Sequence, residues 1–384
     1  MKIKNNFLID QYEKTGKLGI NHNYLRPQFS DYKEIFKDIE VLIKDGDFTL
    51  GKAVDQFEKN ICELTGSKYA IGLGSGTDAL FLSLVAAGIG DGDEVITTPY
   101  TFFGTIGPIV TAGAKPVFAD IREDYNIDPS QIEKHITKNT KAILPVHWAG
   151  LPCEMDEILE IAKKYNLAII EDSCHGIKAE YKGVNAGRWG LTGCFSMHPL
   201  KNLNVWGDGG YLITDSEDIY KKLLLLRNHG LINRDECTMF AYNSRLDSLQ
   251  AIVANHLLKK MDNITQSRID NANLYDKLLS SIPQITIPIR PDYAKQVYHI
   301  YVVRAEKRDE LKDFLNKNSI DAKIHYPIPM HLQPAAKKYG YKKGDFPVAE
   351  MICNSVISFP VHEFVNQDQI NYVVSKIKEF YARS

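Results

Sequence analysis

From about residue 68 to 215, short β-branched or apolar runs alternate with amphipathic stretches. YAIGLG precedes TDALFLSLVAAG, and DEVITTP precedes a helical stretch near 103–112; KPVFADI, KAILPVH, LAIIED, TGCFSM and GGYLITD follow. That alternation predicts βαβ units and a mostly parallel sheet, with ligands bound outside the carboxyl ends of the strands. Charged and Gly-rich residues fall at those strand ends. Over 246–278 the apolar residues Leu246, Leu249, Ile252, Val253 and Leu257 recur at helical spacing with little Gly or Pro, so one long helix is expected there. Beyond it VYHIYVVRA and SVISFPVH read as strands, and DELKDFLNKN and the stretch from Gln367 to about Tyr381 as helices. The expected fold is therefore α/β: an N-terminal arm (1–30), a large domain (31–260) and a smaller C-terminal α/β domain (261–384), bridged by the long helix.

Composition leaves this picture intact and removes some functions. The 384 residues, 44% hydrophobic and 24% charged, suffice for a full-sized core with one large domain and one smaller. Lys and Arg total 46 against 48 Asp and Glu, with a pI near 6.6, so no summed field draws the chain to nucleic acid or to an anionic membrane. The start lacks a signal-peptide apolar region, and no run approaches the roughly 20 apolar residues that span a bilayer, so a cytoplasmic protein is expected. Six cysteines show no CxxC pair and no metal-ligand spacing with histidine, which predicts reduced core thiols and no metal site.

Candidate chemistry gathers at the strand ends. Gly74-Ser75-Gly76-Thr77 lies where a strand hands over to a helix, a place suited to phosphate, although turn glycines and a Thr77–Asp78 helix cap account for it equally. Asp172 follows LAIIE, where a buried carboxylate needs a partner or else caps a loop. Phe102, in PYTFFG, can join the core or cover a planar ligand. Ser196, His198 and Lys201 follow TGCF in a loop before Gly207-Asp208-Gly209-Gly210. Convergence on one sheet edge separates these readings. An amine to bond an aldehyde, a carboxylate to keep a pyridine nitrogen protonated, phosphate anchors and a stacking ring are together what pyridoxal 5'-phosphate (PLP) requires.

The same residues resemble the DegT-type sugar aminotransferases, a family of fold-type I PLP enzymes. The likeness runs from GDFTLGKAVDQFE to the last helix through GSGTDAL, TTPYTFFGT, ILPVHWAG, IIEDSCHG, FSMHPLKN, GDGGYLITD, YNSRLDSLQA and HYPIPMHLQP. It implies that Lys201 is the Schiff-base lysine and Asp172 the partner of the pyridine nitrogen. Gly76, Thr77 and Ser196 would bind phosphate, and Phe102 would stack on the ring. Asn243 would be lent to the phosphate by the neighbouring subunit of a homodimer. His175 stands where the family usually has a glutamine touching the cofactor hydroxyl; it either donates that bond or merely fills the slot.

The resemblance further implies transfer of an amino group from L-glutamate to a keto sugar, nucleotide-linked, through pyridoxamine 5'-phosphate (PMP). Trp148, Arg245, Tyr326 and His331 are the candidates for sugar and donor contacts, Arg245 being suited to a carboxylate, while core packing accounts for Tyr326 and Trp148 equally. KNLNVWGDGG looks more like the branch that aminates carbon 3 than the branch that aminates carbon 4. Two alternatives stand beside it. A sugar dehydratase of the same family carries histidine at the lysine position, and a non-catalytic PLP-binding regulator finds no helix-turn-helix or basic patch here.

Overall fold

The computed structural model describes residues 19–383. Its main sheet contains β1 (Tyr69–Leu73), β2 (Glu94–Thr97), β3 (Lys115–Phe118), β4 (Thr140–Ile143) and β5 (Ala168–Asp172). After the two-residue strands β6 (Glu180–Tyr181) and β7 (Val184–Asn185), β8 (Thr192–Ser196) and β9 (Gly210–Thr214) complete it. The order is β1-β9-β8-β5-β4-β2-β3, parallel except for β9, which runs antiparallel to both neighbours. Reversal of β9 has a positional effect. It sets Gly210 beside Ser196 and Leu73, so the loop between β8 and β9 returns to the edge where β1, β5 and β8 end.

These strands form because both of their faces are covered, and successive side chains go to opposite faces. Cys194 and Leu212 join the core beneath helix Gly76–Ala86, while Phe195 and Ile213 pack on the other side with Phe57 and Leu257. Helix Gly76–Ala86 is apolar nearly all round, with Leu80, Leu82 and Leu84 all buried. Truncating any of these leucines to alanine costs about 2–5 kcal/mol.

Four more strands follow: β10 (Ile285–Thr286), β11 (Ala294–Lys295), β12 (Tyr301–Ala305) and β13 (Val356–Phe359). β10, β12 and β13 make a second, antiparallel sheet. Helix Gln367–Ala382 shares its own apolar core with Tyr275, Tyr301 and Phe359. The architecture is thus α/β, a mostly parallel central sheet with flanking helices and a smaller C-terminal α/β part.

Two expectations are corrected. Residues 246–278 are not one helix: Ser248–Leu258 and Met261–Leu279 are separated by Lys259 and Lys260. The first helix and the start of the second share the large sheet's core through Val253, Leu257, Met261 and Ile264, and the rest of the second packs on the small sheet through Tyr275 and Leu279. All six cysteines are free, as expected of reduced thiols, but Cys237 is exposed rather than buried. Of the N-terminal arm, residues 1–18 lie outside the described residues; Ile20 bridges to Ile320, and Tyr24 is buried. Among the described residues no helix is long and apolar enough to cross a membrane, and no cluster fits a metal ion.

Candidate active site

Helix Gly76–Ala86 begins at the end of β1. Ser75 caps it by accepting the Asp78 N–H at 3.0 Å, which leaves the Gly76 and Thr77 N–H groups, without intrahelical partners, at the positive end of the helix. Glycine at 76 lets that end lie flat on β8: an added Cβ would sit 2.7 Å from Ser196 Cβ and 3.0 Å from Cys174 Sγ. Gly210 permits the same close approach from β9, since a Cβ there would come within 2.3 Å of the Ser75 carbonyl carbon. The result is a cradle of N–H groups and hydroxyls with the size and polarity of a phosphate site.

Asp172 closes β5 and is buried. Its Oδ2 accepts from Thr105 Oγ1 at 2.7 Å and its Oδ1 from the Cys174 N–H at 3.1 Å, so the carboxylate is held in one orientation. Thr105 is itself braced by Thr101, hydroxyl to hydroxyl at 2.6 Å. The preceding carboxylate, Glu171, faces the other way and has a different task. It accepts from the N–H groups of Gly187, Trp189 and Gly190 at 2.6–2.7 Å and pairs with His147 Nε2 at 2.8 Å, fastening the loop behind β5.

Lys201 lies in the loop between β8 and β9, half-buried rather than free in solvent. Its backbone is fixed on both sides: Lys201 N–H donates to the His198 carbonyl at 3.0 Å, and its own carbonyl accepts from Asn204 Nδ2 at 2.8 Å. The Tyr24 hydroxyl lies 3.0 Å from the carbonyls of both Leu200 and Lys201. Burial holds the ammonium below the usual lysine range, against the opposing pull of Cys174 and Asp172. A lysine shifted in that direction releases its proton more readily and so serves better as nucleophile and base.

These groups face a cavity of about 480 Å³. His175 lines it with its Nδ1 accepting the Ala149 N–H at 3.3 Å, which puts the ring proton on Nε2. Burial first, and then the Lys201 ammonium, hold this imidazole's proton affinity well below the usual histidine range. The His299 ring lies against it, tilted by 36°, with 4.3 Å between centroids. Phe102 is half exposed at the cavity mouth, its ring 5.8 Å from that of Tyr326.

Gly76, Thr77, Phe102, Asp172, His175, Ser196, Lys201 and Tyr326 are thus brought to one cavity. Four candidates are not. Trp148 is fully buried behind the cavity wall, between Tyr100, His175 and Tyr326, and serves as packing under the site rather than as a surface of it. His331 is buried against Glu350 at 3.0 Å, on a carboxylate that also accepts the Gly344 N–H, so its ring is spent on structure. Arg245 bridges to Leu73 and donates to Asn228 Oδ1 at 3.2 Å, outside this chain's cavity. Asn243 is exposed, also outside it. The sequence reading in turn missed Tyr24, Arg268, His299 and Lys323, which line the cavity from the chain start and the C-terminal part. For His299 the only signal was a polar residue interrupting the apolar run VYHIYVV.

The parts match those that PLP requires: a phosphate cradle that a single Cβ would fill, an oriented carboxylate and a half-buried lysine of lowered proton affinity. Comparison with known proteins agrees. A Geobacillus stearothermophilus protein named pleiotropic regulatory protein is 40% identical over 361 residues, 93% of this chain and 97% of that one. The dTDP-3-amino-3,4,6-trideoxy-alpha-D-glucose transaminase of Streptomyces venezuelae is 34% identical over 367 residues, again 93% and 97%. The crystal structure of S. venezuelae DesV in complex with a ketimine intermediate superposes with a TM-score of 0.91 at 34% identity, covering 94% of this chain and 98% of that one. The profile of the DegT/DnrJ/EryC1/StrS aminotransferase family matches residues 30–378, and the chain belongs to that family.

Proposed function

We propose that this protein moves an amino group from L-glutamate to carbon 3 of a nucleotide-linked keto sugar, with PLP as cofactor and PMP between the two half-reactions, in the biosynthesis of an amino sugar for a glycan such as lipopolysaccharide. The observation that carries this reading is that Lys201, Asp172 and the Gly76–Thr77–Ser196 cradle all face one cavity. When bound, PLP would supply an electron sink for the negative charge left as the donor α-carbon loses its proton.

The chain's own residues do the rest. Gly76, Thr77 and Ser196 would hold the phosphate, Asp172 would hold the protonated pyridine nitrogen, and Phe102 would cover the ring. His175, neutral and carrying its proton on Nε2, would donate a hydrogen bond to the ring hydroxyl. Lys201 Nζ would take the proton from the donor α-carbon and, in the second half-reaction, give one to the sugar carbon, and its lowered proton affinity suits it to that exchange. Tyr326 is placed to contact the sugar. A homodimer is part of the proposal, with the partner's Asn243 completing the phosphate site; the exposure of Asn243 in one chain is in keeping with that role.

The dehydratase alternative is disfavoured by lysine at position 201. The name of the Geobacillus relative keeps a regulatory reading in view, and the same experiment decides between them. PLP absorbance should collapse when glutamate is added, and Lys201→Ala should abolish glutamate-dependent amination with the fold intact. A spectrum indifferent to every amino donor, or a Lys201→Ala variant that still turns over, would overturn the proposal.

A further inference from the structure

The main chain of Asp172 is clamped on both sides. Its N–H donates to the Pro145 carbonyl at 2.9 Å, and its carbonyl accepts the His147 N–H at 3.0 Å. With the backbone fixed, only the side-chain torsions decide how the carboxylate plane lies. Oδ1 is held from within its own turn, by the Cys174 N–H at 3.1 Å two residues on. One such bond is a pivot, and the plane can still rock about it. Oδ2 is reached from a different element: Thr105 Oγ1, on helix Phe103–Thr111, lies 2.7 Å away and stops that motion.

A threonine hydroxyl carries one proton. Thr105 gives its own to Asp172, so the 2.6 Å contact between Thr101 and Thr105 is made by the Thr101 proton, and the two hydroxyls point in series at the carboxylate. Valine would fill the same space with no polar atom to satisfy, so packing alone does not call for this pair. Thr101, Thr105 and Asp172 are only 2%, 2% and 5% exposed. All three belong to one chain and are already bonded within it, so the arrangement is independent of what a partner subunit adds to the cavity.

The same turn of chain reaches the other parts of the site. Phe102, at the cavity mouth, caps the helix and accepts the Thr105 N–H at 3.1 Å. Gly104 lies against the phosphate cradle, since a Cβ there would stand 3.1 Å from Phe102 Cδ1 and 3.4 Å from Thr77 Oγ1. Thr105 is therefore carried by a segment whose place relative to the cofactor is set twice over.

We propose that Thr105, backed by Thr101, is a positioning residue, fixing the plane of Asp172 so that this carboxylate holds the proton of the pyridine nitrogen. The inference rests on the reading of Asp172 as the partner of that nitrogen. With the plane free to rock, the carboxylate stays in the cavity but holds the proton less well, and the ring accepts electrons less readily.

The test loads the enzyme with PLP isotopically labelled at the ring nitrogen, whose NMR shift reports whether that nitrogen carries a proton, and follows the glutamate half-reaction by absorbance in single turnovers. Thr105→Val keeps the shape and removes the hydroxyl. It should move the nitrogen signal toward that of unprotonated pyridine and slow the maximal rate about 10- to 100-fold, with the half-saturating glutamate concentration changed by less than about threefold. Thr105→Ser, which restores the hydroxyl, should recover most of both, and Thr101→Val should give a smaller change in the same sense. Should Thr105→Val not fold or not load PLP, Thr101→Val against wild type carries the comparison. Lowered urea stability with wild-type signal and rate makes Thr105 a structural brace and overturns the inference alone, as does a loss that serine leaves unrestored. A wild-type ring nitrogen without its proton overturns the assignment of Asp172 and the inference with it. A wild-type enzyme indifferent to every amino donor overturns the transamination reading, and the nitrogen signal still decides the role of Thr105.

Discussion

Replacing Gly76 by alanine sets two opposing effects against each other, and their sizes decide the outcome. The residue is helical, so alanine's propensity favours the variant by about 0.8–1 kcal/mol. Against that, the new Cβ would lie 2.7 Å from Ser196 Cβ and 3.0 Å from both Ser196 Cα and Cys174 Sγ, whereas such atoms settle at about 3.5–4 Å. Overpacking of this kind costs about 1–3 kcal/mol. The apoprotein should therefore lose no more than about 2 kcal/mol, readable as a shift in the urea midpoint. The cheaper relief is for the helix start to move off β8 by up to about 1 Å, and that movement parts Gly76 and Thr77 from Ser196. With one charge-assisted contact to phosphate lost, at about 1.5–3 kcal/mol, PLP should bind roughly 10- to 100-fold more weakly. Titration of apoprotein with PLP, followed by absorbance, measures it. A Gly76→Ala protein with unchanged stability and a PLP affinity within about twofold of wild type would refute the cradle.

Two further expectations concern histidine. Because His175 is neutral with its proton on Nε2, His175→Gln should keep most activity and leave the pH profile between about 6 and 8 unaltered; disappearance of a limb near neutrality in that variant would show that His175 titrates during turnover. The buried cavity histidines also make the fold acid-sensitive. His325 and His362 are both pushed down to about 3, chiefly by burial. The unfolded chain takes up their protons near pH 6.5 and the folded chain refuses them, so stability is complete above about 6.5 and falls as pH drops from there. Each refused proton is worth at most about 1.4 kcal/mol per pH unit. Urea unfolding at pH 7.5, 6.5 and 5.5 should show the decline, and His362→Asn should flatten it; a midpoint indifferent to pH over this range would contradict it.

How far the sequence reached depended on how local each signal is. The strands were legible because each is a short apolar run buried on both faces, and the helix after β1 because its leucines are dense. Asp172, Ser196 and Lys201 could be placed because strand ends fix where their loops emerge. What escaped was long-range. Nothing local distinguishes Lys323 from a solvated lysine, and His299 reaches His175 only after the chain has crossed to the second sheet and returned. Trp148 could not be assigned locally: an aromatic next to a strand end suits a ligand contact or the core equally, and only the fold shows its bulk packed against Tyr326. The break at Lys259–Lys260 carries no Gly or Pro, so no local signal marks it, and the stretch serves two cores in turn.

Tyr24 joins the lysine loop to the second half of the molecule, its hydroxyl on the Leu200 and Lys201 carbonyls and its ring beneath the Arg268 guanidinium. For anyone handling the protein this makes the two ends of the chain unequal. A fusion partner or immobilising surface that tugs on the segment around residues 19–28 pulls directly on the loop that presents the reactive amine. The far end of helix Gln367–Ala382 packs on the second sheet's core, so an affinity handle attached there should leave the reactive loop undisturbed.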